Sequence, residues 1–197
     1  MSKEIRQIQK EDIMPLDVYI KNRKELRKNI LSFKKDRRIA LGPYATFYFE
    51  SYETMLAQVQ EMLYIEKGGD EQLTDELAAY NPLIPSGKEL TATLMFEIDN
   101  PISRSAFLEK VGGIEETVFI NIDGETIKAK PEEDVDRTSS NGKASSVQFI
   151  HFHFTDNQIK KFKSNDISIE LGINHDEYSH MTKLTTASVR SLSADFI

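Results

Sequence analysis

Apolar residues recur at helical spacing in "LDVYIKNRKELRKNILSFKKDRR", residues 16–38. Tyr19, Leu26, Ile30 and Phe33 form a narrow stripe, which predicts a helix with one face toward a core. Pro15 suits its first turn. Gly42-Pro43 breaks the pattern, and "YATFYFE" then alternates as a strand, with Phe47 and Phe49 on one side and Tyr44 and Tyr48 on the other. In "YETMLAQVQEMLYIEK", Met55, Leu56, Val59, Met62 and Leu63 make a broad apolar face, predicting a second helix closed by Gly68-Gly69. "DEQLTDELAAY" predicts a short helix stopped by the prolines of "NPLIPSG".

The second half changes period. "LTATLMFEI" predicts a strand and "ISRSAFLEKVGG" a helix ended by Gly112-Gly113. In "TVFINIDGETIKAK" two β-prone runs flank Asp123-Gly124, the dipeptide of a type I′ turn, because both turn residues need positive φ. A two-residue turn sets Ile122 opposite Glu125, Ile120 opposite Ile127 and Val118 opposite Ala129, giving one apolar face. "PEEDVDRTSSNGK" is polar and predicts a loop. "ASSVQFIHFHFT" predicts a strand, "DNQIKKFK" a helix, "DISIELGI" a strand, and "TTASVRSLSADFI" a closing helix with Val189, Leu192 and Phe196 inward. Helices interleave with strands and one hairpin is marked. The expected fold is therefore α+β, a single domain over residues 1–197 with a largely antiparallel sheet, flanking helices and an N-terminal basic helix.

Charge sharpens that last feature. The net charge is −7, yet residues 1–38 hold 12 Lys/Arg against 6 Asp/Glu. Nine of those cations lie between Lys21 and Arg38, with Lys21, Lys24 and Lys28 on one helix face away from the apolar stripe. The excess of acid elsewhere repels phosphate and no recognition motif is present, so an acidic protein partner is expected rather than nucleic acid. No apolar run is long enough to span a bilayer. The opening "MSKEIRQIQKED" lacks the layout of a secretory signal, and a cytoplasmic location is expected.

The chain has no cysteine, which excludes disulfides, thiolate nucleophiles and cysteine-held iron–sulfur clusters. Phosphate-binding glycine loops and serine-nucleophile motifs are absent. All four histidines fall in the last quarter, in "QFIHFHFT" and "NHDEYSHM". On a strand His151 and His153 share a face, and His175 and His180 could complete a set for a divalent ion such as zinc or iron. The competing reading is a histidine bonded within a sheet while the others meet solvent. Glu177-x-x-His180 has the spacing of di-iron bundles, but such sites need two copies and four long helices. The segment from Asp134 fails as a calcium loop, with Ser139 at position six and Ser145 at position twelve.

The combination "KKDRRIALGP", "QVQEMLYIE", "ELAAYNPLIPSGKELTATLMFE", "EEDVDRTSSNGKASSVQFIHF" and "GINHDEYSHM" resembles a bacterial family known as domain of unknown function 3501, over residues 12–195. Matching motif positions are Arg37, Arg38, Glu61, Met62, Glu66, Tyr80, Asn81, Pro82, Asp134, Arg137, His151, His175 and His180. His153 stands where "VHFPF"-type members carry proline. Members are encoded near rubrerythrin-like and heterodisulfide-reductase-like proteins, so the resemblance implies a redox or iron-handling setting and no particular reaction.

Three functions compete at this stage. The first is an accessory protein beside a redox or iron enzyme, holding a divalent metal through His151, His175 and His180, with His153 the weaker ligand. The second is a metal-free interaction module whose Lys21, Lys24 and Lys28 dock an acidic partner. The third is an enzyme with a site around Glu61, Glu66 and the histidines.

Overall fold

Helical periodicity in the first third of the chain and strand alternation thereafter become two compact units in the structure, a computed structural model that describes residues 2–132, 138–139, 141–164 and 166–197. One unit comprises residues 1–35 and 50–86, the other residues 36–49 and 87–197. The fold is α+β, and every strand ladder among the described residues is antiparallel.

The first unit is helical: α1 (Leu16–Lys34), α2 (Tyr52–Glu66) and α3 (Gly69–Tyr80). Helix α2 opens on a reciprocal cap. The Ser51 side chain accepts from the Thr54 amide, and the Thr54 hydroxyl accepts from the Ser51 amide, satisfying two amides that the first turn leaves without partners. Met55, Val59, Leu73, Leu83 and Ile84 are buried, with Ile8 from the N-terminal segment. The Ile8 strap is held at both backbone groups by one side chain: its amide donates to Asn81 Oδ1 at 2.8 Å, and its carbonyl accepts from Asn81 Nδ2 at 3.1 Å. Asn81 thus carries structural work at the end of α3.

Among its described residues the second unit holds nine strands, β1 (Arg38–Leu41), β2 (Ala45–Phe49), β3 (Glu89–Phe96), β4 (Val118–Ile122), β5 (Glu125–Lys128), β6 (Lys130–Pro131), β7 (Val147–His153), β8 (Ile169–His175) and β9 (Tyr178–Lys183). They divide into a five-stranded sheet, β1-β2-β3-β7-β6, and a four-stranded sheet, β5-β4-β8-β9. Helices α4 (Pro101–Leu108), α5 (Asp156–Phe162) and α6 (Thr186–Ser193) complete the unit. Both sheets and all three helices feed one apolar cluster, with Phe47, Leu94, Ile120, Ile150, Phe152, Phe162 and Leu192 fully enclosed. Each such side chain contributes about 1.5–3 kcal/mol by leaving water.

The expected hairpin forms in the expected register, Ile120 opposite Ile127 and Ile122 opposite Glu125. Asp123 and Gly124 have φ of 53° and 81°, as a type I′ turn requires. Two expectations are corrected. The basic helix stops at Lys34, and "RIAL" is an edge strand instead. Helix α4 ends at Leu108, four residues before Gly112.

Tyr178 ties the two sheets together. Its hydroxyl donates to the Leu41 carbonyl and accepts from the amides of Tyr44 and Ala45, at 3.1 and 3.0 Å. The turn between β1 and β2 is thereby fastened to β9. Burial of the phenol raises its pKa above the usual tyrosine value. A second buried link joins Arg37 to Asp195, with further bonds from the guanidinium to the carbonyls of Phe49 (3.0 Å) and Ser191 (3.2 Å).

Candidate functional site

Helix α1 presents different chemistry on its two sides. Tyr19, buried, and the half-buried Arg23, Leu26 and Ile30 face inward. The inward polar groups are fully engaged. Arg23 grips the Glu61 carboxylate of α2 with two parallel bonds of 2.9 and 2.8 Å, and the Tyr19 hydroxyl donates to the same carboxylate. The Arg23 guanidinium also lies 4.3 Å from the centre of the Tyr64 ring. Hydrogen bonding from Arg23 holds Glu61 below its usual pKa, against the opposing effect of burial and with help from Tyr19. Burial, and then the Glu61 hydrogen bond and charge, push the Tyr19 phenol upward. Glu61 is therefore an ionised structural anchor that fixes α1 on α2. Glu66 is exposed and accepts from Gln72 Nε2 at 3.2 Å.

The outward side is different. Lys21, Lys24 and Lys28 are all exposed, and among the described residues none has a hydrogen bond or ion pair. Beside them along the helix run Leu16, Ile20 and Leu31, which are 39%, 52% and 65% exposed. At 3.6 residues per turn these aliphatic positions lie within about one-sixth of a turn of each other, adjoining Lys24. Cations and aliphatic side chains thus form one continuous outward surface. A cleft of 320 Å³ lies between Leu26, Ile30 and Phe33 on α1 and Leu56 and Ala57 on α2.

The histidines are placed as follows. His151 and His153 do share a face of β7, their rings parallel within 9° and 6.2 Å apart. His151 is held between two carboxylates: its Nδ1 is 3.3 Å from Glu89 on β3, and its Nε2 is 3.0 Å from Glu132. His153 Nδ1 approaches the same Glu89 oxygen at 3.3 Å, but its side chain is 56% exposed. Burial alone would lower the His151 pKa, but the hydrogen bonds and charges of Glu89 and Glu132 outweigh it and the net shift is upward. His175 and His180 lie on the other sheet. His175 Nε2 is 3.3 Å from the Gly112 carbonyl and its Nδ1 accepts from the Glu177 amide at 3.2 Å. His180 packs edge-on against Tyr178, 4.5 Å between ring centres. His151 and His153 share Glu89 while His175 and His180 have other neighbours, and among the described residues no group of three or more His, Asp and Glu side chains is arranged to hold a metal ion. Glu133, Asp134, Asp136 and Arg137 lie outside the described residues. Among the described residues no helix is long and apolar enough to cross a membrane.

Sequence reasoning missed the His151 carboxylates. Glu89 and Glu132 are distant along the chain and reach His151 only through the β3–β7 and β6–β7 ladders, which pair Thr91 and Lys130 with His151. It also missed the Arg23–Glu61 clamp, since a cation on a basic helix gives no sign that it points inward.

A family model described as "Protein of unknown function (DUF3501)" matches residues 7–196. Among solved structures, the chain is similar to a crystal structure of a novel protein of unknown function from Burkholderia pseudomallei. The two share 31% identity and a TM-score of 0.90, over 97% of this chain and 100% of that one. No curated protein matches the chain.

Proposed function

The chain belongs to the DUF3501 family, which brings a fold and no assigned reaction, and we propose that it is an interaction module whose α1 docks an acidic protein partner. One observation carries this reading: three exposed lysines with no side-chain partner among the described residues adjoin an exposed aliphatic row on a helix whose other side is already secured by Arg23 and Glu61. Solvated lysines alone would be an ordinary surface. Lysines beside Leu16, Ile20 and Leu31 suit a protein, because a partner helix can bury the aliphatic row while its carboxylates meet the cations. Nucleic acid would leave the aliphatic row unused. The accessory role beside a redox or iron enzyme, implied by the family resemblance, fits a module of this kind. Its partner then supplies the chemistry. The histidines are not needed for this function.

The test uses a fluorescein-labelled helical peptide with glutamate and leucine on one face, followed by anisotropy. Binding should weaken as salt rises, because exposed charges are screened beyond about 10 Å at 0.1 M and about 3 Å at 1 M. Lys21→Glu, Lys24→Glu and Lys28→Glu together should abolish it with circular dichroism unchanged. Equal binding by the folded triple variant would refute the proposal.

A further inference from the structure

The cleft between α1 and α2 lies on the side of α1 turned away from Lys21, Lys24 and Lys28, and needs its own account. Its walls are apolar, formed by Leu26, Ile30, Phe33, Leu56 and Ala57, and its volume of 320 Å³ reaches the lower end of small-ligand sites, about 300–1,000 Å³. Its polar lining groups divide sharply. The Glu61 carboxylate is taken by Arg23 and Tyr19. The Gln60 amide is used twice by Met14, accepting from its amide at 2.9 Å and donating to its carbonyl at 3.2 Å. Glu53 pairs with Lys3. Asp12 accepts from the Gln9 amide at 2.8 Å and interacts with Tyr52. Two of the three carboxylates, Glu53 and Glu61, are paired with cations, and Asp12 is hydrogen-bonded. Arg27 and Asn29 remain. Both are exposed, and among the described residues neither makes a side-chain hydrogen bond or ion pair, although the Arg27 charge acts at longer range on Glu61 and Tyr19.

From this accounting we propose that the cleft binds an amphipathic carboxylate, an aliphatic chain ending in one carboxyl group. The chain lies along Leu26, Ile30, Phe33, Leu56 and Ala57, and the carboxylate meets the Arg27 guanidinium at the rim. An apolar ligand without charge would give the Arg27 guanidinium no hydrogen-bond acceptor. A cationic one would meet Arg27 with like charge, while Glu53 and Glu61 are already paired. Arginine matches a carboxylate with two parallel donors, which gives the ligand a fixed end as well as a charge. The apolar walls lie on the side of α1 opposite the lysines, and Arg27, at the rim, neighbours Lys24 and Leu31 along the helix.

Decanoate, below its micelle-forming concentration, is the probe, with decan-1-ol as the same chain without charge and decyltrimethylammonium as the opposite charge. Calorimetric titration of the full chain should show saturable binding of decanoate, roughly tenfold or more tighter than the alcohol, since hydrogen bonds to charged groups are the stronger class. The ammonium should bind weakest. Because it binds the folded state, decanoate should also raise the melting temperature. Arg27→Gln, at an exposed position, should fold normally and bring decanoate down to the level of the alcohol. Ala57→Leu, which narrows the cleft, should weaken acid and alcohol alike. The proposal falls if decanoate gives no saturable heat, if Arg27→Gln binds it as well as the parent, or if the folded Ala57→Leu protein binds both unchanged.

Discussion

Removing the Asp195 carboxylate should strand a buried charge. Arg37 is 1% exposed, its guanidinium is shared among Asp195, the Phe49 carbonyl and the Ser191 carbonyl, and Asp195 is only 10% exposed at its side chain. The pair lies at the end of α6 and joins it to the start of β1. In Asp195→Ala the Phe49 and Ser191 carbonyls remain as partners for the cation, while the Asp195 charge is lost. Breaking a buried pair by deleting one member costs about 3–5 kcal/mol, mostly the penalty for an uncompensated buried ion. At about 2–4 °C per kcal/mol for a chain of this size, the melting temperature should fall by roughly 6–20 °C. The mechanism is separated from simple loss of packing by a double-mutant cycle. Once Arg37→Met has removed the cation, Asp195→Ala should cost less than about 1 kcal/mol, leaving a coupling of roughly 2–4 kcal/mol. Thermal and urea denaturation followed by circular dichroism, with unchanged urea slopes, supply the values. If Asp195→Ala costs the same in both backgrounds, the charge is not the cause and the account of this pair is wrong.

Three further outcomes follow from particular residues. Gly124→Val places a β-branched residue at a φ of 81°; no atom lies within 4 Å of the added Cβ, so the expected loss of about 1–3 kcal/mol in urea titration is backbone strain alone. Gly42→Ala combines a φ of 65° with a Cβ 2.6 Å from the His180 ring and 2.7 Å from the Tyr178 hydroxyl, and should be more harmful than Gly124→Ala; equal melting temperatures for the two variants would show that the Tyr178 anchorage yields freely. His151, raised in the folded state by Glu89 and Glu132, contributes stability that is fully present below the unfolded histidine value of about 6.5 and is lost as pH rises through the higher folded value. His151→Gln should therefore destabilise more in mildly acidic than in alkaline buffer, and a pH-independent difference would show that the carboxylates do not hold the imidazolium.

The elements that the sequence revealed are those whose signal is local. Asp123-Gly124 carries its own backbone requirement, so turn and register followed together. Alternation in "VQFIHFH" set His151 and His153 on the partly exposed face and Ile150 and Phe152 in the core. The β8–β9 hairpin escaped notice because its turn residues, Asp176 and Glu177, lack positive φ and so need neither glycine nor asparagine. The strand "RIAL" was hidden because Arg37 and Arg38 continue the charge pattern of the helix before them. Only the fold shows that Arg37 is buried and Arg38 reaches Glu97 at 3.2 Å. Division into two sheets was likewise illegible, since antiparallel strands with one buried face look alike whichever neighbour they choose.

The same locality explains the candidate site. Lys21, Lys24, Lys28 and Arg23 are equivalent in composition, and a helical wheel puts the three lysines on one side. What distinguishes them is the carboxylate opposite: Glu61 lies 38 residues beyond Arg23 and neutralises it, whereas no described carboxylate pairs with the lysines. That difference gives the basic helix its direction. An inward cation matched by Glu61 and Tyr19 holds α1 in place, and the outward cations face away from that contact. A helix fixed on one side can present its lysines and aliphatic row without ordering itself at the moment of binding, which removes one of the main entropic costs of association. The Arg23–Glu61 clamp is thus the structural condition for the lysine face to act. Glu61→Gln should consequently weaken the acidic peptide although Glu61 does not touch it. The charge it removes is negative, so simple electrostatics would instead strengthen binding, and the sign of the change decides between positioning and charge.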